Sequence, residues 1–276
     1  MNSIFLLLSQ FVVFSSQPNI KLEVIGHVSD NSNWSFFAPH ENENVANKYV
    51  SEQIIESGGI FVILRQDGKR LLHLDIAHFT DKIDPNRIFT KEGRRKNIIK
   101  HNPRLRTNTY VFHRANRLSA ALSEFIIDTM GGTDSSRNWI AIHNNTHGYL
   151  GDNKQGIGNI SIEQYQQKLA KGAAFIKAVS QQTGDEDDLF FVTEQQDFHA
   201  MQQNGWNAVL QHPRVVTDPS EDDGSLSVYA HKLGIRYINV EAERSTGNVG
   251  DNHLIEQQQM VDFVFSRLIG KNTISN

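Results

Sequence analysis

Four residues in this chain have the types and the local settings that metal-assisted hydrolysis requires. His40 and Glu43 lie three positions apart directly after an apolar stretch at residues 36–38, so an imidazole and a carboxylate can face one point. His143 and Glu241 each follow another short apolar stretch further along the chain. Catalytic zinc takes histidine and carboxylate ligands and keeps one position open for water. The residues therefore predict a metal site with His40, Glu43 and His143 as ligands and Glu241 as a catalytic carboxylate.

The elements that must position these residues alternate between strand and helix patterns. Strands are predicted at residues 21–26, 34–38, 60–64, 139–142 and 237–241. Helices are predicted at residues 43–55, 116–130, 161–180 and 254–268, and an irregular polar loop at residues 81–102. This order indicates an α/β fold, a three-layer α/β/α sandwich with a mainly parallel mixed sheet. The carboxyl ends of parallel strands meet at one edge, where ligands bind, so His40, His143 and Glu241 are expected there together.

Composition limits the classes of protein that the chain can belong to. Of its 276 residues, 38% are hydrophobic and 21% are charged, which predicts one catalytic domain over residues 18–276 with a substantial core. A net charge of −4 gives no basic footprint for nucleic acid, so no nucleic-acid partner is expected. Cysteine is absent, so histidines and carboxylates must supply the metal ligands.

Residues 1–17 form a candidate signal peptide. The apolar run within them has the length of a signal-peptide core and is too short to span a bilayer, although a basic residue before it is missing. This interpretation predicts an exported protein, periplasmic or secreted, with no stable membrane insertion after cleavage. The alternative is a strand or helix that packs on the domain of a cytoplasmic protein.

Four short motifs resemble those of a known enzyme superfamily. They are Phe-Phe-Ala-Pro-His-Glu-Asn-Glu at 36–43, Asp-Pro-Asn-Arg at 84–87, Ile-His-Asn-Asn-Thr at 142–146 and Asn-Val-Glu-Ala at 239–242. In type and order they are similar to motifs of the zinc metallocarboxypeptidases and the related aspartoacylase/succinylglutamate desuccinylase group. The resemblance implies the zinc-carboxypeptidase-like (phosphorylase/hydrolase-like) form of the α/β sandwich.

The resemblance also implies an activity and a role for each site residue. The activity is zinc-dependent hydrolysis of an amide bond in a carboxylate-bearing substrate, either the C-terminal end of a peptide or an N-acyl amino acid. Zn²⁺ on His40, Glu43 and His143 would activate water, and Glu241 would serve as general base. Arg87, with Asn86 beside it, would hold the substrate carboxylate. Asn144 would contact the substrate or orient His143 and its loop.

Several alternatives stay open at this point. Glu243 lies on the same strand face as Glu241 and could replace it as base, although Glu241 directly follows the apolar stretch. A catalytically inactive member of the same fold could bind a ligand or peptide. Serine hydrolysis lacks support because the sequence has no Gly-x-Ser-x-Gly. The acidic stretches at 185–188 and 221–224 are interpreted as solvated turns rather than calcium loops.

Overall fold

The central feature of the fold is a nine-stranded sheet, seen in a computed structural model that describes residues 9–28, 32–76, 79–151, 158–244 and 253–270. The strands are β1 Ser9–Val13, β2 Lys21–His27, β3 Trp34–Ala38, β4 Gly59–Arg65, β5 Leu72–Ile76, β6 Phe79–Ile83, β7 Asn138–Thr146, β8 Ile176–Ser180, β9 Leu189–Val192, β10 Asn207–Gln211 and β11 Arg236–Arg244. The helices are α1 Asn47–Ser57, α2 Lys91–His101, α3 Tyr110–Thr129, α4 Ile162–Ala170, α5 Gln195–Gln203, α6 Leu226–Leu233 and α7 Leu254–Phe263. The sheet order is β1-β2-β4-β3-β7-β11-β9-β10-β8, and β5 and β6 form a separate hairpin.

The middle of the sheet is parallel. Strands β4, β3, β7 and β11 are neighbours that run in one direction. Pairing places β1 and β8 in the same direction, whereas β2, β9 and β10 run oppositely. The predicted mixed, mainly parallel sheet is therefore confirmed, and the carboxyl ends of β3, β7 and β11 meet at one edge.

Helices cover both faces of this sheet because successive strand residues point to opposite sides. On β3, Phe37 packs in a core with α2, α3, α6 and the β5–β6 hairpin. Its neighbour Phe36 packs in the other core with α1, α5 and α7. Both side chains are fully buried, as expected for a strand between two helical layers. The three-layer α/β/α prediction is thus confirmed.

Two predicted segments differ from the structure. Residues 81–102 are not an irregular loop: they complete β6, form a 3-10 turn at Pro85–Arg87 and continue as α2. The Thr90 hydroxyl begins this helix by accepting a hydrogen bond from the Gly93 amide (3.1 Å), and the apolar side chain of Ile98 is buried beneath it. The single helix predicted at 161–180 is also wrong, because α4 ends before Gly172, whose φ of +80° breaks the helix, and β8 follows.

The described part of the candidate leader packs on the domain. Strand β1 pairs antiparallel with β2, and Phe14 is buried at the edge of the core. The Gln17 side chain exchanges two hydrogen bonds of 3.0 Å with the backbone of Asp75. Residues 1–8 lie outside the described residues, so signal cleavage stays a prediction. Among the described segments, no helix has the length and apolarity needed to cross a bilayer.

The two acidic stretches are solvated only in part: Asp185 and Asp223 are exposed, whereas three other carboxylates are buried. Asp187 and Asp222 are each 1% exposed, and Asp188 is 7% exposed. Asp222 accepts hydrogen bonds from Thr90 Oγ1 at 2.6 Å and from Lys232 Nζ at 2.5 Å. That interpretation is wrong for these residues because local sequence does not reveal the distant residues that fold over them.

Candidate metal centre

Three predicted ligands converge where β3 and β7 end. His40 and Glu43 lie on a turn after β3, which the Glu43 amide closes by donating to the His40 carbonyl at 3.0 Å. Glu43 is outside α1, which begins at Asn47, so the helix start predicted at residue 43 is wrong. His143 lies within β7, which pairs directly with β3 in parallel. Two neighbouring strand ends thus deliver all three side chains to one point.

The donor atoms of these side chains face each other. His40 Nδ1 and His143 Nδ1 each lie 2.8 Å from the same carboxylate oxygen, Glu43 Oε2. The candidate donor atoms of the three residues all lie within 4.8 Å of one another, and each residue is at most 3% exposed. Two imidazoles and one carboxylate with an open side make a donor set that fits catalytic zinc.

Both imidazoles are in the protonation state that a metal requires. Burial lowers the pKa of His40, and it lowers the pKa of His143 to about 3. Near neutral pH each ring is therefore uncharged and presents one nitrogen lone pair. Because metal ligation requires unprotonated histidine, neither ring has to lose a proton before it can bind a metal.

Asp84 orients His40 from behind, a role that sequence reasoning missed. Its Oδ1 atom lies 2.9 Å from His40 Nε2, the ring nitrogen that faces away from Glu43. Burial alone would raise the pKa of Asp84, but the hydrogen bond from His40 and the charges of Arg87 and Arg70 hold it below its ordinary value. An ionised carboxylate here keeps the proton on Nε2 and directs the Nδ1 lone pair to the metal position.

Arg70 places a positive charge beside the three ligands. Its guanidinium contacts Glu43 Oε1, the oxygen that the histidines do not use, and lies 3.8 Å from Asp84 Oδ2. Glu41 supports this arrangement because its Oε2 atom accepts hydrogen bonds from the Gln66 and Gly68 amides, both 2.7 Å, in the turn before Arg70. Nothing in the local sequence marks Arg70, which reaches the site only through the β4–β5 connection.

A cavity of about 290 Å³ adjoins the ligands and contains three predicted site residues, Asn86, Arg87 and Glu241. Asn86 links the two regions, since its Nδ2 atom lies 3.3 Å from His143 Nε2. Glu241 is the register partner of His143 on β11, and its Oε1 accepts a hydrogen bond from Asn239 Nδ2 at 2.9 Å.

Charged and aromatic groups line the rest of this cavity. Arg87 forms an ion pair with Asp223 at 2.9 Å. An incoming carboxylate could replace Asp223 in this pair. Tyr165 and Tyr237 form part of the wall, and burial raises the pKa of both phenols, so they stay protonated. Neither tyrosine was expected at the site from its local sequence.

The structure does not bring Asn144 or Glu243 into this cavity. Asn144 points to the opposite face of β7, where it accepts a hydrogen bond from the Val45 amide (3.2 Å) and donates one to Gln257 Oε1 (2.8 Å). These contacts fit the predicted role of orienting the loop around the ligands, and they lie on the face of β7 away from the cavity. Glu243 pairs instead with His147, at 2.7 Å.

Comparisons with known proteins give structural likeness only. No family model and no curated protein matches the sequence. Similar solved structures include a succinylglutamate desuccinylase from Vibrio parahaemolyticus (TM-score 0.37, 10% identity, 99% of this chain and 70% of that one). Others are the tripeptide-bound cell shape determinant Csd4 from Helicobacter pylori (0.43, 9%, 93% and 57%) and an aspartoacylase family protein from Mesorhizobium loti (0.35, 10%, 92% and 66%).

The chain thus spans 57–70% of the length of these proteins. The desuccinylase and the aspartoacylase family protein carry the names of the group that the motifs resemble. With TM-scores below 0.5, the likenesses say nothing about activity, and the case for function rests on the residues of the site.

Proposed function

We propose that this protein is a zinc-dependent hydrolase of an amide bond in a carboxylate-bearing substrate. The substrate is the C-terminal end of a peptide or an N-acyl amino acid. One observation carries the proposal: two neutral, buried imidazoles share the carboxylate oxygen of Glu43, beside a cavity that holds Arg87 and Glu241. An anion-binding arginine, a carboxylate that borders the cavity and a metal-type donor set in one place are the parts that amide hydrolysis needs.

His40, Glu43 and His143 would hold the metal. When bound, zinc lowers the pKa of water to about 7 and polarises the substrate carbonyl. Asp84 fixes the tautomer of His40, and Asn86 contacts Nε2 of His143, the ring nitrogen that does not face Glu43. These buried contacts limit rotation of both rings, so the ligands are oriented before the metal arrives.

Glu241 is the proposed general base. It borders the cavity, stands beside His143 in the sheet, and is held by the amide of Asn239 (2.9 Å). Its carboxylate would take a proton from the attacking water and deliver it to the departing nitrogen, which lets the C–N bond break. Glu243 is a poorer candidate because its carboxylate is engaged with His147 outside the cavity.

Two arginines would each stabilise a different negative charge during the reaction. Arg87 would exchange its ion pair with Asp223 for the substrate carboxylate and so fix the substrate at one end. Arg70, whose guanidinium already contacts Glu43, would stabilise the oxyanion that develops at the carbonyl under attack. The distance between the two arginines would select the position of the scissile amide relative to the carboxylate.

The test is hydrolysis of a panel of N-acyl amino acids and short peptides by zinc-loaded protein, with Glu241→Gln as the inactive variant. Loss of general-base catalysis lowers kcat by roughly 10²–10⁴-fold. Glu221→Gln is the matched control, because Glu221 is another carboxylate of the same cavity. Turnover that survives in Glu241→Gln would refute the assigned base. Substrate binding without turnover in the wild type would instead indicate the inactive, ligand-binding alternative.

We further propose export as the localisation if residues 1–17 act as a signal peptide, and a cytoplasmic location otherwise. An exported protein would meet peptides outside the cytoplasm, whereas a cytoplasmic one would meet N-acyl amino acids. N-terminal sequencing of protein recovered from cell fractions decides between these two cases. A mature chain that begins near residue 18 supports export, and an intact N-terminus in the cytoplasm contradicts it.

A further inference from the structure

A second cluster of metal-ligand side chains lies at the same edge of the sheet, apart from the site described above. His147 directly follows β7, Asp187 precedes β9, and Glu243 lies near the end of β11. One donor atom from each of the three lies within 4.8 Å of the others. Their closest contact is His147 Nδ1 to Glu243 Oε1, at 2.7 Å. His253, at the start of α7, lies 3.4 Å from the same oxygen.

The oxygens of this cluster are buried and incompletely satisfied. Glu243 and Asp187 are each 1% exposed, yet Glu243 Oε2 and Asp187 Oδ1 have no hydrogen-bond partner among the described residues. The same holds for the side-chain oxygen of Asn145, the register partner of Glu243 on β7, whose amide nitrogen bonds the Asp187 carbonyl. A buried carboxylate oxygen without a partner costs free energy that a cation would recover.

We propose that His147, Asp187 and Glu243 form a second divalent-cation site, distinct from the one at His40, Glu43 and His143. An imidazole with two carboxylates suits a transition metal such as Zn²⁺ better than Ca²⁺ or Mg²⁺, which prefer oxygen ligands alone. The exposed ring of His147, 60% exposed at its side chain, gives the ion a route from solvent. The unpartnered side-chain oxygen of Asn145, opposite Glu243 in the sheet, would be the candidate for a fourth ligand.

The site would act as a clamp on the proposed catalytic elements. It joins the ends of β7 and β11 to the loop before β9, three segments that are remote in sequence. His143 lies four residues before His147 on β7, and Glu241 lies two residues before Glu243 on β11. A cation that fixes these ends would hold the spacing between His143 and Glu241. The proposal concerns metal binding and stands whether or not the protein is a hydrolase.

The experiment measures zinc binding in protein whose first site has been removed. The double variant His40→Ala/His143→Ala is titrated with Zn²⁺ after chelator treatment, with metal content and thermal unfolding as readouts. We expect about one zinc to remain bound per chain and the unfolding temperature to rise on zinc addition. Adding His147→Ala to this background should weaken zinc binding at least about tenfold and abolish the thermal shift.

Two further variants complete the test. Glu243→Gln preserves shape and should also remove the zinc response, whereas His113→Ala, which alters an exposed histidine on α3, should leave it intact. Circular dichroism confirms that each variant is folded before titration. No zinc bound to the His40→Ala/His143→Ala protein would overturn the proposal. Zinc bound equally well after His147→Ala and Glu243→Gln would overturn it too, because the ion would then lie elsewhere.

Discussion

Replacing Asp84 with asparagine should weaken metal binding at the site without unfolding it. Asp84 Oδ1 lies 2.9 Å from His40 Nε2. The same oxygen accepts a hydrogen bond of 2.9 Å from the backbone amide of Asn86. The asparagine oxygen can keep both hydrogen bonds, so the substitution removes the charge and little else. Mutation of the residue that supports a metal-ligating histidine from behind typically costs roughly 10–100-fold in metal affinity. This factor corresponds to about 1.4–2.8 kcal/mol of binding free energy.

Competition with a chromophoric chelator near neutral pH measures this effect on the zinc Kd. Asp75→Asn is the matched control, because it removes an exposed carboxylate from the neighbouring hairpin. Circular dichroism should show that metal-free Asp84→Asn is folded, with an unfolding temperature below that of wild type because the variant lacks the ionised carboxylate that pairs with His40, Arg87 and Arg70. A zinc Kd for Asp84→Asn within about twofold of wild type would contradict the assigned role, since the expected loss is at least tenfold.

Three other substitutions test separate parts of the account. Arg87→Ala should lower kcat/KM about 10- to 150-fold for a substrate with a free carboxylate, which corresponds to the loss of one charged hydrogen bond. It should change kcat/KM little when that carboxylate is converted to an amide. Equal losses on both substrates would contradict a role for Arg87 in binding the carboxylate. Phe14→Ala should lower the free energy of unfolding by about 3–5 kcal/mol in urea, because the ring is buried, whereas exposed Phe11→Ser should change it little; no loss would mean that this segment does not pack. Asn144→Ala should lower the free energy of unfolding by about 1–3 kcal/mol and leave KM unchanged. A raised KM would instead support a contact between Asn144 and the substrate.

Strand ends were the part of the site that the sequence could reveal. The apolar stretches before His40, His143 and Glu241 are short and buried on both faces, so pattern and composition identify them as central strands. Once the order of elements indicates parallel pairing, the carboxyl ends must converge. The residues after those ends are then candidates without further knowledge of the fold.

Groups that reach the site across the fold were not predictable in this way. Arg70 and Asp84 approach His40 from segments 30 and 44 residues away in sequence, and no local pattern encodes those contacts. The direction of the Asn144 side chain follows from strand geometry. Asn144 neighbours His143, and adjacent residues on a strand face opposite sides of the sheet, so its amide packs against Gln257 of α7.

The predicted helix boundaries are wrong where a single residue or a distant contact determines where the helix begins or ends. Gly172, with φ of +80°, ends α4 and allows β8 to join the sheet edge. Helix α2 in the predicted loop is mostly polar and is held by the burial of Ile98, a tertiary effect. Asp187 and Asp188 of the acidic stretch at 185–188 are buried against β7 and β11, which are remote in sequence, and composition cannot show such contacts.

Metal content of the purified protein tests the central claim most directly. Wild type, His40→Ala, His143→Ala and the exposed control His199→Ala are loaded with zinc, dialysed and measured by elemental analysis. Each ligand variant should contain about one zinc fewer per chain than wild type, and His199→Ala should match wild type. Zinc content that is the same in all four proteins, or absent from wild type, would contradict a metal centre at His40, Glu43 and His143.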